Sequence, residues 1–200
     1  HKEYRRQRQM CIRDRCHRSL MQIDAQHRDA MIRDALVRRL DAQALRVLAL
    51  RQSCNGDWNE TFYRLLARSF GLRVNAEAFF RLSELIPLRI LLRNADRPQM
   101  LEALLFGAAG FLSGLPEDNY QLTLQETWVR LREMYGLREM NTAEWKFMRM
   151  RPSGFPTLKI ARFAAVVPGL NGILSDLLRP GGPDRFRSMV LMTPSAVSYT

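Results

Sequence analysis

The sequence lacks an apolar run long enough to cross a membrane as a helix. Its most apolar stretch, residues 100–115, is shorter than the ~18 residues such a segment needs, and it carries Glu102. A basic and then apolar leader ending in small residues at a cleavage site is also missing. We therefore predict a protein that does not span a membrane, and we expect it in the cytoplasm.

Residue types that hold metals or form disulfides are scarce. The sequence contains three cysteines and three histidines, namely Cys11, Cys16, Cys54, His1, His17 and His27. An odd number of cysteines without Cys-x-x-Cys spacing predicts neither a disulfide framework nor a zinc site. Cys16, His17 and His27 are better interpreted as exposed helix residues, so we expect no metal and no cofactor.

Alternation of apolar and polar residues, which is typical of half-buried strands, does not occur over a useful length. Apolar residues recur instead at spacings of three and four, as on one face of a helix. The longest such segment spans residues 29–53 and includes Ile32, Leu36 and Leu40. The sequence therefore predicts an all-α protein, an irregular multi-helix bundle.

Residues 98–113 are apolar on most sides and are predicted to form the central helix of that bundle. Gly107 and Gly110 lower helix propensity by roughly 1 kcal/mol each relative to Ala, so we expect another helix to approach closely there. A role of these glycines in ligand access is the alternative.

Caps and breakers predict where helices begin and end. Asp57, Asn75 and Asp118 are predicted N-caps, and Asn55-Gly56 is a predicted left-handed stop. The two helices richest in aromatic residues are predicted to bury Trp58, Phe62, Leu65, Leu66 and Phe70, and Leu124, Trp128, Leu131 and Met134. Beyond Arg179 a Pro-Gly-Gly-Pro run predicts no regular element.

We predict three segments. Residues 1–27 are an N-terminal extension that is partly artefactual, because residues 8–15 look like translated sequencing-adapter read-through. Residues 28–178 are the helical domain, and residues 179–200 are an irregular, truncated tail.

The net charge of +11 comes from 28 arginines and only 3 lysines against 20 acidic residues. Arginine is typical of phosphate recognition, but a GC-rich genome produces the same bias. Charge alone therefore does not decide between nucleic-acid binding and a solvated surface.

One basic and aromatic segment is the candidate nucleic-acid interface. Its residues are Trp145, Lys146, Arg149, Arg151, Lys159 and Arg162, with Phe147 and Phe155 between them. Basic side chains contact phosphates and aromatic rings stack on bases, so the pattern is typical of a surface for single-stranded or flipped-out nucleotides. In the alternative interpretation the three aromatic rings anchor the loop to the core, while Arg149 and Arg151 bind helix carbonyls or Glu133 and Glu139.

No catalytic constellation is recognisable. The sequence has no Gly-x-Ser-x-Gly motif, no paired histidines and no phosphate-binding glycine loop. Glu102 and Glu126 lie on different predicted helices and would be a carboxylate pair if they faced each other, but a salt bridge or a surface position is the simpler interpretation. Whether the chain is an enzyme therefore stays open.

Several blocks in order resemble one bacterial family, the domain of unknown function DUF2851. They are Gly56-Asp57-Trp58, Phe62 to Arg68, Phe70-Gly71, Val74-Asn75, Phe79, Glu102 to Gly107, Ala109 to Leu112, Trp145-Lys146-Phe147, Arg149, Arg151-Pro152, Phe155-Pro156 and Ile160-Ala161. The resemblance covers residues 28–178 and is to the C-terminal half of longer proteins; from Gly181 the tail departs from the family pattern.

The N-terminal half of that family resembles, loosely, the two-acid metal site of restriction-endonuclease-like folds, and this chain has none of those ligands. The resemblance implies a helical accessory domain that positions nucleic acid for a nuclease-like N-terminal domain, which is then its partner. A structural or protein-interaction domain that does not bind nucleic acid is the alternative.

Overall fold

The computed structural model describes residues 24–148, 152–177 and 179–192. These ranges form nine α-helices and no strand, which confirms the predicted all-α fold. The helices are α1 (Ala25–Ser53), α2 (Trp58–Phe70), α3 (Ala76–Leu85), α4 (Leu88–Arg93), α5 (Pro98–Ala108), α6 (Asn119–Tyr135), α7 (Pro156–Val166), α8 (Ile173–Leu177) and α9 (Gly182–Met192). Short 3-10 segments occupy Thr142–Glu144, Pro152–Gly154 and Val167–Leu170.

The chain divides into two compact units between Ser53 and Cys54. This division differs from the predicted segment boundaries after residues 27 and 178. Helix α1 forms the described part of the first unit, and it has no buried residue. Its predicted apolar stripe is exposed: Ile32, Leu36 and Leu40 have 50%, 55% and 67% of their surface in contact with solvent. The segment interpreted as read-through lies outside the described residues.

Helix α5 is central to the second unit because it packs against α3, α6 and α7. Six of its eleven residues are buried. The predicted helix end at residue 113 is wrong, since α5 ends at Ala108. Gly110 has a φ of +83°, and a Cβ atom there would lie 2.5 Å from the carbonyl oxygen of Met140. Only glycine fits this backbone conformation and this close approach, so the chain turns back at Gly110.

Gly107 marks the crossing of α5 and α6, as its position in an apolar helix predicted. A Cβ atom on Gly107 would lie 2.1 Å from Cδ2 of Trp128. The indole ring of Trp128 therefore packs directly on the backbone of α5. This contact explains why a residue of low helix propensity occupies the middle of the central helix.

The buried face of α2 includes part of the predicted one, since Phe62, Leu66 and Phe70 are partly buried and pack against the core. Thr61, Tyr63 and Ala67 are buried, while Trp58 is 44% exposed. Both buried hydroxyl groups have acceptors: Tyr63 Oη donates to the Ile86 carbonyl at 2.9 Å, and Thr61 Oγ1 donates to the Asp57 carbonyl at 2.6 Å. Burial raises the pKa of Tyr63 well above its usual value, and the nearby Glu60 carboxylate acts in the same direction.

Most of the residues predicted to be buried in α6 are buried. Leu124, Trp128 and Leu131 are buried as expected. Met134 is 64% exposed, so its predicted inward position is wrong. Gly136 ends the helix with a φ of +61°, the left-handed conformation that glycine adopts without strain.

Two of the three predicted N-caps are confirmed. The Asp57 carboxylate accepts from the Asn59 and Glu60 amides at 2.8 and 3.3 Å, and Asp118 likewise caps α6. Asn75 precedes α3 as predicted, but its side chain does not cap the helix.

Residues 179–200 were predicted to be irregular, yet Gly182–Met192 is the helix α9. Phe186 of α9 packs edge-on against Phe62 of α2, with ring centroids 5.6 Å apart. A partner more than a hundred residues away in sequence is invisible to local patterns, which explains the error. Among the described residues, no helix combines the length and the apolarity that crossing a membrane requires.

Candidate nucleic-acid interface

Trp145 lies in the core rather than on the surface. Its side chain is 5% exposed, and Nε1 donates to the Ala109 carbonyl at 2.9 Å. The ring contacts Phe79 edge-on at 5.3 Å and Phe111 at 5.4 Å between centroids. In this structure the indole therefore anchors the segment, as in the alternative interpretation, and its faces are not open to a base.

Asn75 fixes the backbone next to Trp145, which sequence reasoning missed. Its Nδ2 donates to the Lys146 carbonyl at 2.9 Å, and its Oδ1 accepts from the Lys146 amide at 2.8 Å. Asn75 is only 3% exposed, and both bonds are partly buried. The Asn75 side chain thus makes one donated and one accepted hydrogen bond with the Lys146 backbone, as the backbone of a neighbouring β-strand would. The two residues are 71 positions apart in the sequence.

Phenylalanine rings connect this segment to the start of α7. Phe147 contacts Phe111 at 5.9 Å and Phe155 at 6.0 Å between centroids, both nearly edge-on. Phe155 is the residue before the first turn of α7. Because Phe147 touches Phe155, the residues that follow Trp145 lie beside the start of α7.

Lys159 and Arg162 lie one turn apart on α7 and are both partly buried. Burial lowers the pKa of Lys159, and the positive charge of Arg162 lowers it further. Arg162 Nε is buried and has no hydrogen-bond partner among the described residues. Within the same part of the chain, neither side chain forms an ion pair with a carboxylate. We call Lys159 and Arg162 the α7 cation pair.

Many other arginines have acidic partners. Arg64 binds Glu60 at 3.0 Å, Arg81 lies 3.4 Å from Glu144, and Arg68 pairs with Glu77. Such pairs are what a purely structural role predicts for an arginine-rich chain. The α7 cation pair differs because two like charges are held together in a partly desolvated position.

Two of the six predicted site residues, Arg149 and Arg151, lie outside the described residues. Glu139, one of the partners considered for them, lies 3.8 Å from Arg132. Lys146 is exposed. The structure therefore leaves Lys146 exposed, buries Trp145, and places the α7 cation pair in a partly buried position on α7.

The carboxylates considered for catalysis have separate surroundings. Glu102 Oε2 accepts from the Tyr120 hydroxyl at 2.5 Å, whereas Glu126 is exposed. The described ranges contain no group of three or more His, Cys, Asp or Glu residues placed to hold a metal ion.

These features define an all-α protein whose basic segment is anchored to the core by aromatic rings. The sequence model of a family described as "Protein of unknown function (DUF2851)" matches residues 2–196. Since the match covers nearly the whole chain, this chain belongs to that family. Comparisons with curated proteins and with solved structures returned no match.

Proposed function

We propose that this chain is a helical accessory domain that binds the phosphate backbone of nucleic acid. The contacts are assigned to Lys146 and to the α7 cation pair, with Arg149 and Arg151 from the segment between them. In the full protein the domain positions nucleic acid for a nuclease-like N-terminal domain. The α7 cation pair is the observation that carries the proposal.

Two adjacent positive charges that no carboxylate of the described residues neutralises repel each other and destabilise the protein when no ligand is bound. The lowered pKa of Lys159 reflects first the cost of desolvation and then that repulsion. A phosphate group between the two side chains relieves both, because it supplies negative charge and accepts hydrogen bonds from the Arg162 guanidinium and Lys159 Nζ. Perturbed pKa values of this kind are concentrated at functional sites.

The buried indole of Trp145 has a positioning role in this proposal. It anchors the backbone next to Lys146 to the Ala109 carbonyl, and Asn75 accepts from the Lys146 amide. Phe147, which is 39% exposed, is the aromatic ring of the segment with surface to offer a base. Recognition is therefore expected to depend mainly on the phosphate backbone and weakly on base sequence.

Binding of a fluorescent single-stranded oligonucleotide, followed by anisotropy at several salt concentrations, tests the proposal. The double variant Lys159→Ala/Arg162→Ala should bind more weakly. The slope of log K against log salt should become shallower by about 1.4, because two phosphate contacts are lost at ~0.7 per contact for a single strand.

The matched control is Arg89→Ala/Arg93→Ala, which removes two exposed cations from α4. It lowers the net charge by the same amount and should leave most of the affinity and the slope. Equal affinity and slope in the two double variants would show that the α7 cation pair is not a phosphate site.

The alternative, a protein-interaction domain, is favoured by one feature of the first unit. Helix α1 exposes large apolar side chains along its length, including Met31, Leu36 and Leu45, and buries none. Contiguous exposed apolar surface is typical of sites that meet another protein. Absence of oligonucleotide binding at low salt would leave this alternative as the better account of the chain.

A further inference from the structure

A second candidate site lies between α5, α6 and α7, and its α7 lining residues are sequence neighbours of Lys159 and Arg162. The cavity there has a volume of about 370 Å³, within the usual size range for pockets that hold small molecules. Its walls are mostly apolar. The lining residues are Glu102, Phe106, Phe111, Leu112, Asp118, Tyr120, Gln121, Leu124, Thr157, Leu158 and Ala161.

The charge of this cavity is opposite to that of the chain. Among the described residues, the charged ones that line it are Glu102 and Asp118. Residues 98–129 contain four acidic residues and no lysine, arginine or histidine, although the whole chain has a net charge of +11. In the described part of the chain neither lining carboxylate takes part in an ion pair.

Hydrogen bonds hold the polar end of the cavity in place. Glu102 accepts from the Tyr120 hydroxyl at 2.5 Å, which leaves its other carboxylate oxygen for a ligand. Gln125 Nε2 donates to the carbonyls of Leu112 and Gly114, so it fixes the loop that closes this end. The site is therefore largely formed before anything binds, which lowers the entropic cost of binding.

We propose that this cavity binds a small organic cation, an amine carried on an aromatic or branched aliphatic body. The ammonium group lies against the Glu102 carboxylate and the Tyr120 ring, and the apolar body packs on Phe106, Phe111 and Leu158. A carboxylate supplies a charge-assisted hydrogen bond, and aromatic faces attract a cation. This proposal does not rest on the proposed nucleic-acid function.

Two-dimensional amide NMR of the full chain, titrated with 2-phenylethylamine and with tryptamine, tests the proposal. We expect saturable shifts at amides of α5, α6 and α7 with at least one of the two amines. The neutral isostere 2-phenylethanol and the acid 3-phenylpropanoate should bind at least about tenfold more weakly, which corresponds to the loss of one charge-assisted hydrogen bond.

The variant Glu102→Gln keeps the side-chain shape and should weaken amine binding at least about tenfold, and Tyr120→Phe should weaken it less. The matched control Glu126→Gln removes the same charge from an exposed position on α6 and should leave the affinity unchanged. Three results would overturn the proposal: no saturable shifts with either amine, equal affinity for the neutral isostere, or equal effects of Glu102→Gln and Glu126→Gln. The Tyr120→Phe variant serves as the binding readout if Glu102→Gln does not fold.

Discussion

At the scale of single residues, the carboxamide of Asn75 contributes more than its position in the sequence suggests. An Asn before a helix predicts a cap, but this side chain donates to the Lys146 carbonyl and accepts from the Lys146 amide. Asn75→Ala removes both bonds to the Lys146 backbone. At ~1 kcal/mol for each bond, urea denaturation should show a loss of about 2 kcal/mol in the free energy of unfolding.

Asn75→Asp separates this explanation from simple loss of packing, because a carboxylate cannot donate to the Lys146 carbonyl. The variant should be less stable than the wild type at pH 7 and should recover part of that loss at low pH, where the carboxyl group is protonated and donates again. Asn59→Ala, at an exposed position of α2, is the control and should change stability little. Equal stability of Asn75→Ala and Asn59→Ala would refute the role given to Asn75.

Lys159 makes the stability of the protein depend on pH in a defined direction. Burial and Arg162 hold the pKa of Lys159 below its usual value in the folded state. Between the folded and the unfolded pKa the unfolded chain binds more protons, so the free energy of unfolding rises as the pH rises through this window. Lys159→Met should therefore be more stable than the wild type at pH 7, and the difference should shrink towards pH 10.

The exposed position Lys146 provides the control for this prediction. Lys146→Met should leave the free energy of unfolding within about 0.5 kcal/mol at both pH values, as is usual for surface substitutions. A wild-type stability curve parallel to that of Lys159→Met between pH 7 and pH 10 would show that Lys159 is not strained. A stabilised variant with weaker oligonucleotide binding is the outcome expected of a binding residue whose charge costs stability.

At the scale of secondary-structure elements, the crossing of α5 and α6 depends on the missing side chain of Gly107. Gly107→Ala gains helix propensity of ~1 kcal/mol. The new Cβ atom would lie 2.1 Å from the Trp128 ring, however. Overpacking of this kind costs about 1–3 kcal/mol, so the variant should be less stable in urea.

Gly114→Ala is the matched substitution, because no atom lies within 4 Å of the Cβ position there. It should not destabilise the protein. If the two alanine variants had the same midpoint of unfolding, the close approach of Trp128 to α5 would not be what the glycine provides. The double variant Gly107→Ala/Trp128→Ala should relieve the clash, at the cost of a cavity.

Helix positions followed from the sequence wherever a local signal was sufficient. Asp57 and Asp118 accept from backbone amides of the next turn, and Gly136 adopts a positive φ, so each sets a boundary by itself. Helix α9 packs against Phe62, which lies in a distant part of the chain. The end of α5 depends on the close approach of the Met140 carbonyl to Gly110. Tertiary contacts decided these two elements, and no local pattern contains them.

The candidate site shows the same limit. Sequence composition identified Lys146, Lys159 and Arg162, because basic residues interleaved with aromatic ones form a recognisable pattern. It did not show which aromatic ring is buried, since Trp145 and Phe147 are equally apolar in sequence but are 5% and 39% exposed. The cavity beside Glu102 was missed because its lining comes from three helices that meet only in the folded protein.

At the scale of the whole molecule, burial is distributed very unevenly. The hydrophobic core of the described residues extends from Tyr63 to Ile173, while α1 contributes no buried residue. Most of the stability of a protein helix comes from packing of its apolar face. Native-state hydrogen exchange should therefore find amides of α3, α5 and α7 protected by a common free energy of opening, and amides of α1 exchanging at least about 100-fold faster. Comparable protection of α1 and α5 would mean that the apolar side chains of α1, which are exposed in this structure, are covered in solution. That result would favour the protein-interaction alternative.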